Sequence, residues 1–361
     1  MPTGFLLSRV FLRLDTEPNE VAADLSAVTF TPQGHLWTAS DETAGVERLS
    51  QIDSCIFGNH QQFPLAEFID LPDPEGEIDI EGMDYADHYL WLVGSHSTKR
   101  KKPKGKKPEK DLEKLTEVET EANRYLLARV PTVGGDLFKS CPHPENEQQT
   151  LTAAWLPTTK TGGNSLTDAL KTDPHLGAFL SMSLPSKENG FDIEGLAVRG
   201  NTVFIGLRGP VLRGWAIILE IVTEATSSGS LGLKPIGAKG QLYKKYFVDL
   251  GGLGIRELCL DGEDLIILAG PTMDLDGSLR IFRLKSAVDR PANSLFWQNT
   301  ETSDLKLLFD IPYGQGSDKA EGLALFPCLE QPNSLLVVYD SPSPVRHLEP
   351  NAVLADVFKL D

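Results

Sequence analysis

What this 361-residue chain lacks narrows the field first. Its four cysteines, Cys55, Cys141, Cys259 and Cys328, are scattered without CxxC spacing. Neither a zinc site nor a disulfide framework is therefore indicated. No apolar run approaches the roughly 18 residues of a membrane span. The first twenty residues lack a basic segment followed by a long apolar core, because Arg9 and Arg13 interrupt the apolar run, so no signal peptide is expected. Positive charge is scarce: 34 Lys and Arg against 51 Asp and Glu leave a net charge of −17. That balance argues against nucleic acid or an anionic membrane as the main partner. The expected setting is cytoplasmic, with reduced thiols. GxGxxG and GxxxxGK[ST] phosphate loops, a GxSxG elbow, an HExxH helix and the kinase motifs are all missing, which excludes only the enzymes those motifs identify.

What is present is a repeat. DLSAVTF…HLWTASDE begins at Asp24, DIEGMDY…YLWLVGSH at Asp79 and DIEGLAV…TVFIGLRG at Asp192. GIRELCL…DLIILAGP follows from Gly254 and KAEGLAL…SLLVVYDS from Lys319. Each pairs a short apolar segment, a polar turn and a second segment rich in Val, Ile, Leu and aromatics, which is a hairpin signal. Further strands are predicted after each hairpin: GVERLSQI and FPLAEFIDL, RYLLARVPT and QTLTAAWLP, WAIILEIV and KKYFVDLGG, GSLRIFRLK and DLKLLFDIP. The fifth hairpin is followed only by AVLADVFKL, and FLLSRVFLRLD (5–15) can supply the missing strand. The predicted fold is all-β: one domain over 1–361, a five-bladed β-propeller whose last blade the N-terminal strand completes. The 113-residue interval from Asp79 to Asp192 leaves six blades as the alternative. Two insertions in blade two account for its length. One is a basic loop at about 99–121. The other, at about 158–190, contains the helix-like SLTDALKTDPHLGAFLSM, broken at Pro174.

Alternation then places a site. In antiparallel pairing the start of the first strand and the end of the second lie at one edge. Ser26, Glu81, Glu194, Arg256 and Glu321 should therefore meet Asp41, Ser95, Arg208, Gly270 and Asp340 at one mouth of the channel, with Glu42 and His96 one position further. Carboxylates there could hold calcium or magnesium through oxygen ligands, and arginines could clamp an anion. The plainer reading of the repeated glutamates is architectural, accepting backbone hydrogen bonds from a neighbouring blade or pairing with Arg256. His96, Arg208, Arg256, Lys319, Asp41 and Glu42 depart from the repeat, as a site requires and a structural rule does not. PTMDLDGS, with Asp274 and Asp276, is read as a turn rather than a calcium loop. Between Lys99 and Lys114 stand nine of the 34 basic residues, a run expected to be solvated and able to meet a polyanion or an acidic partner.

The combination DIEGL…LRGPVLRGW, LGGLGIREL…ILAGPTMDLDG and AEGLAL…LLVVYDSP resembles a bacterial family catalogued only as a domain of unknown function, over essentially the whole chain. More distantly the blades resemble the esterase-like phytase and gluconolactonase groups, whose channel mouths hold a divalent cation. That resemblance implies a metal-assisted hydrolase of a phosphoester or another anionic ester. Metal ligands would come from Glu81, Glu194, Glu321 and Asp340. Arg208 and Arg256 would stabilise developing charge, His96 would act as acid or base, and Lys319, Asp41 and Glu42 would contact substrate. Arginines at two mouth positions depart from those groups. The alternative is a non-catalytic propeller binding a small anionic ligand or a protein at the same mouth.

Overall fold

The computed structural model describes residues 3–14, 20–160, 162–227, 229–298, 302–329 and 331–360. Each repeated motif forms an antiparallel hairpin. They pair Leu25–Phe30 with His35–Ser40, Ile80–Ala86 with Tyr89–Gly94, and Asp192–Arg199 with Thr202–Gly209. The remaining two pair Gly254–Asp261 with Asp264–Gly270 and Lys319–Leu325 with Ser334–Asp340. These strands are covered on both faces, which is why they read as nearly continuous apolar runs.

Two outer strands extend each of the first four hairpins. In order they are Gly45–Asp53 and Ile56–Pro64, Leu127–Val133 and Ala154–Trp155, Trp215–Ser227 and Lys244–Asp249, and Leu279–Leu284 and Leu305–Ile311. The fifth hairpin takes Ala352–Lys359, and the N-terminal strand Leu6–Arg13 pairs antiparallel along its far side, with Arg9 opposite Asp356. Asp15, the expected end of that strand, lies outside the described residues. One expectation fails: the fourth strand of the first sheet is Ile56–Pro64, not FPLAEFIDL. IFGNHQQFP looks too polar for a strand, but His60 and Gln62 bond the buried Glu47 across the pair, and Ile56 and Phe57 pair in parallel with Phe11 and Leu12 of the N-terminal strand. The apolar stretch after it turns through a short 3-10 helix (Leu65–Glu67) and buries Leu65 and Ile69 in the core.

The sheets pack face to face in chain order. The first strand of each hairpin lies against that of the next, and Lys319–Leu325 returns to Leu25–Phe30. Five buried apolar clusters follow the same order. Trp37 shares a cluster with Leu90, Trp91 with Leu196, Phe204 with Leu265, Ile281 with Leu335, and Val338 with Val28 and Leu12.

Residues 99–121 form an arm rather than a structureless loop: Lys99–Arg100 pairs with Val118–Glu119, and a short helix spans Pro108–Lys114. In the second insertion two helices, Ser165–Leu170 and Gly177–Met182, flank Pro174. Asn164 caps the first through the N–H groups of Leu166 and Thr167. Leu166, Leu170 and Leu176 anchor this segment on the sheet beneath. All four cysteines are free, and no helix among the described residues is long and apolar enough to cross a membrane.

Candidate functional site

The site begins with a slip in register. Pairing shifts once on the first strand of every hairpin: between Leu25 and Ala27, Ile80 and Gly82, Ile193 and Gly195, Ile255 and Glu257, and Ala320 and Gly322. Each slip leaves one residue over: Ser26, Glu81, Glu194, Arg256 or Glu321. A bulge bends its strand and re-aims the extra side chain. The glycine after three of them has a packing reason. A Cβ on Gly322 would stand 3.1 Å from the backbone of Ala27 and Val28 in the adjoining sheet.

The bulges open onto a cleft of about 510 Å3 bordered by Asp41, Glu42, Asp79, Glu81, Arg124, Asp192, Glu194, Arg208, Glu321 and Asp340. A smaller hollow of about 50 Å3 adjoins it and adds Arg256 and Lys319. Nine of the ten residues singled out from sequence thus gather at one mouth. The tenth, His96, lines neither hollow. It is 2% exposed, and Asn164 donates to its Nε2 at 2.8 Å. Its Nδ1–H in turn donates to Gly94 O at 2.8 Å. Burial lowers its pKa to about 4. A neutral imidazole with both nitrogens engaged anchors the helix cap and is no acid or base for the mouth.

Both arginines are held internally. Arg256 Nη1 donates to both oxygens of Glu194, at 2.9 and 2.8 Å, and its Nη2 lies 2.9 Å from Glu321. Arg208 Nη1 also reaches Glu194, and its Nε lies 3.0 Å from Asp192. An anion arriving at either guanidinium competes with carboxylates already paired to it. The anion clamp expected of Arg208 and Arg256 is therefore already filled. The four expected metal ligands fit a shared cation no better. Glu194 and Glu321 are turned to arginine, and Asp340 lies 3.6 Å from Lys319 Nζ and accepts from Ser341 Oγ at 2.7 Å. Among the described residues no three His, Cys, Asp or Glu side chains are grouped as ligands.

Of the two architectural roles expected of the repeated glutamates, pairing with Arg256 is made by Glu194 and Glu321, whereas the backbone bond between sheets is made by other acids. Asp84 accepts Val198 N at 2.7 Å and Glu257 accepts Leu196 N at 2.8 Å, each across two neighbouring sheets. Sequence reasoning also missed Arg124. It comes from the root of the arm and meets Asp79 through two nitrogens, at 2.8 and 2.7 Å. The signal was available, because a third strand starting at Leu127 must begin at the mouth.

What remains unmatched is carboxyl. Twelve carboxyl groups line the two hollows, against four guanidiniums and five lysine ammoniums. Glu81 has no hydrogen bond and no ion pair to another described residue, and its pKa stands well above the usual range. Loss of water is the first cause, followed by the charges of Asp79, Glu194, Glu321 and Asp192. Burial likewise raises Asp41 to about 7, Glu321 to about 8 and Asp192 to about 7. Asp24 rises to about 6, through burial and then its neighbour Asp340. Lys99, Arg100 and Lys101 roof the cleft, and all three are paired with acids. Lys99 meets Glu121 at 2.9 Å, Arg100 meets Glu188 and Lys101 meets Glu119 at 3.1 Å.

Among solved structures the chain is similar to virginiamycin B lyase from Staphylococcus aureus, with 11% identity, 98% of this chain and 99% of that one covered, and a TM-score of 0.36. Aldose sugar dehydrogenase from Streptomyces coelicolor in its PQQ-bound form gives 12%, 99% of each chain and 0.35. A candidate gluconolactonase gives 9%, 99% and 96%, and 0.36. Likeness of that extent carries no chemistry to this mouth. No curated protein sequence matches the chain. The family model that does match spans residues 24–356, and the chain belongs to that family, a protein of unknown function, DUF3616.

Proposed function

We propose that the chain is a single five-bladed propeller whose mouth binds a small ligand carrying a cationic or hydrogen-bond-donating group. Five hairpins, five shared apolar clusters and the return of the last inner strand to the first support the blade count. The observation that carries the ligand reading is Glu81, a carboxyl at a mouth bulge that the fold supplies with no partner. A half-buried acid among other carboxyls is costly to ionise and takes up a proton instead. An ammonium group seated between Glu81 and Asp41 replaces that proton. The three arginines hold the remaining carboxylates in place and take no part in binding.

The test is a thermal-shift series in 150 mM salt with spermidine, against glycerol and sodium phosphate. Spermidine should raise Tm in wild type and have much less effect on Glu81→Gln. Stabilisation by phosphate alone would return the reading to an anion site.

A second reading, a protein partner, is favoured by the placement of exposed apolar side chains. Of the fifteen large ones among the described residues, Leu112 and Leu115 stand on the arm, and Met273, Leu275 and Tyr313 line the smaller hollow. Apolar groups gathered on one face mark interaction surfaces. Selection from a displayed peptide library would then enrich a basic residue flanked by apolar ones, and enrichment of acidic peptides would count against it.

A further inference from the structure

A second cleft, of about 520 Å3, lies at the opposite end of the sheets, between the second and third hairpins. Its size falls within the roughly 300–1,000 Å3 usual for small-molecule sites. Two donors on its wall lack acceptors among the described residues, as do their counterparts Trp37 Nε1 and Arg48 Nε in the first sheet. Trp91 is 1% exposed, and its indole Nε1–H, buried at the cleft, has no acceptor. Arg129 also keeps its Nε–H without an acceptor, although its guanidinium lies 4.4 Å from the centre of the Tyr89 ring and Nη1 donates to Asn201 at 3.3 Å. Buried donors without acceptors are rare, and each costs about 1–3 kcal/mol.

The turn bordering this cleft is unusual as well. The two-residue turns of the third and fourth hairpins each place a glycine, Gly200 or Gly262, at positive φ. The second hairpin instead turns through Asp87 and His88, at φ 49° and 64°. Side chains held in that region are uncommon, and tight hairpins favour glycine there. The effect of the exception is to put a carboxylate and an imidazole on the cleft wall.

Charge decides the class of ligand. The wall sets one guanidinium, Arg129, against three carboxylates, Asp87, Glu145 and Glu224, so an anion is disfavoured. A cation would leave the Trp91 and Arg129 donors unmet. A hydroxyl group donates and accepts at once. We infer that this cleft is a second binding site, for a small neutral polyhydroxylated compound of the sugar class, separate from the mouth.

The test uses the indole N–H resonances of 15N-labelled full-length protein, with Trp91 assigned through Trp91→Phe. D-glucose, D-xylose and maltose are each titrated to about 50 mM, with sodium phosphate as the anion probe. At least one sugar should move the Trp91 resonance saturably. Arg129→Gln and Asp87→Asn, the latter keeping a residue that tolerates positive φ, should each weaken binding about tenfold, equivalent to about 1.4 kcal/mol. The inference is overturned if no sugar moves that resonance, if phosphate moves it instead, or if neither variant changes a sugar's affinity.

Discussion

Glu81 and Glu194 occupy equivalent bulges in adjoining hairpins, yet their surroundings oppose each other. Glu194 is 2% exposed and shared by two guanidiniums, whereas Glu81 faces mainly other acids. Removing one member of a buried charge network leaves the others uncompensated, at about 3–5 kcal/mol. Glu194→Gln should therefore destabilise strongly in chemical denaturation, while Glu81→Gln should leave stability at pH 8 unchanged or raised. Equal losses would mean that both glutamates are structural. Sequence legibility ended at this scale. The repeat located the positions, but both glutamates read as DIEG or DIEGM, and which one receives an arginine depends on neighbouring sheets. His96 shows the same limit, since its partner Asn164 lies 68 positions away.

At the scale of elements, hairpins were legible because alternation and turn residues are local signals. The bulges were not, since a register slip belongs to the pairing and not to either strand. The fourth strand of the first sheet was misplaced for a related reason: a strand held by cross-strand bonds such as His60 to Glu47 needs no apolar pattern. The arm carries a further prediction. Its acid–base pairs are half-exposed, as with Lys99 and Glu121 or Lys101 and Glu119, and exposed pairs contribute about 0–1 kcal/mol each. Replacing residues 102–116 by a short Gly-Ser turn should therefore shift Tm only slightly while speeding ligand entry to the mouth in stopped-flow binding. A large loss of Tm would make the arm part of the fold itself.

For the whole molecule, the sequence pointed to the N-terminal strand as the partner of the last one, and Leu6–Arg13 pairs with Ala352–Lys359. The pH response is also a property of the whole. Carboxyls raised in the folded state, Glu321 to about 8 and Asp41, Asp84 and Asp192 to about 7, hold protons that the unfolded chain releases near pH 4. Their contribution is complete below that value and is lost as pH rises through 7 to 8. Asp173 and Asp318 are depressed by their hydrogen-bond and charge partners, so their contribution is lost in acid, as pH falls through their lowered folded values. Thermal unfolding should thus give a higher Tm at pH 5.5 than at pH 8.5, and a flat or rising profile across that interval would contradict the assignment. The central claim is that the unpartnered carboxyl at Glu81 is what the mouth offers a ligand. Calorimetric titration of spermidine into wild type and Glu81→Gln, at pH 7 in two buffers of different ionisation enthalpy, tests it most directly. Saturable binding with proton release is expected in wild type, weakened about tenfold or more in the variant. Equal affinity in the two proteins, or binding without proton release, would contradict it.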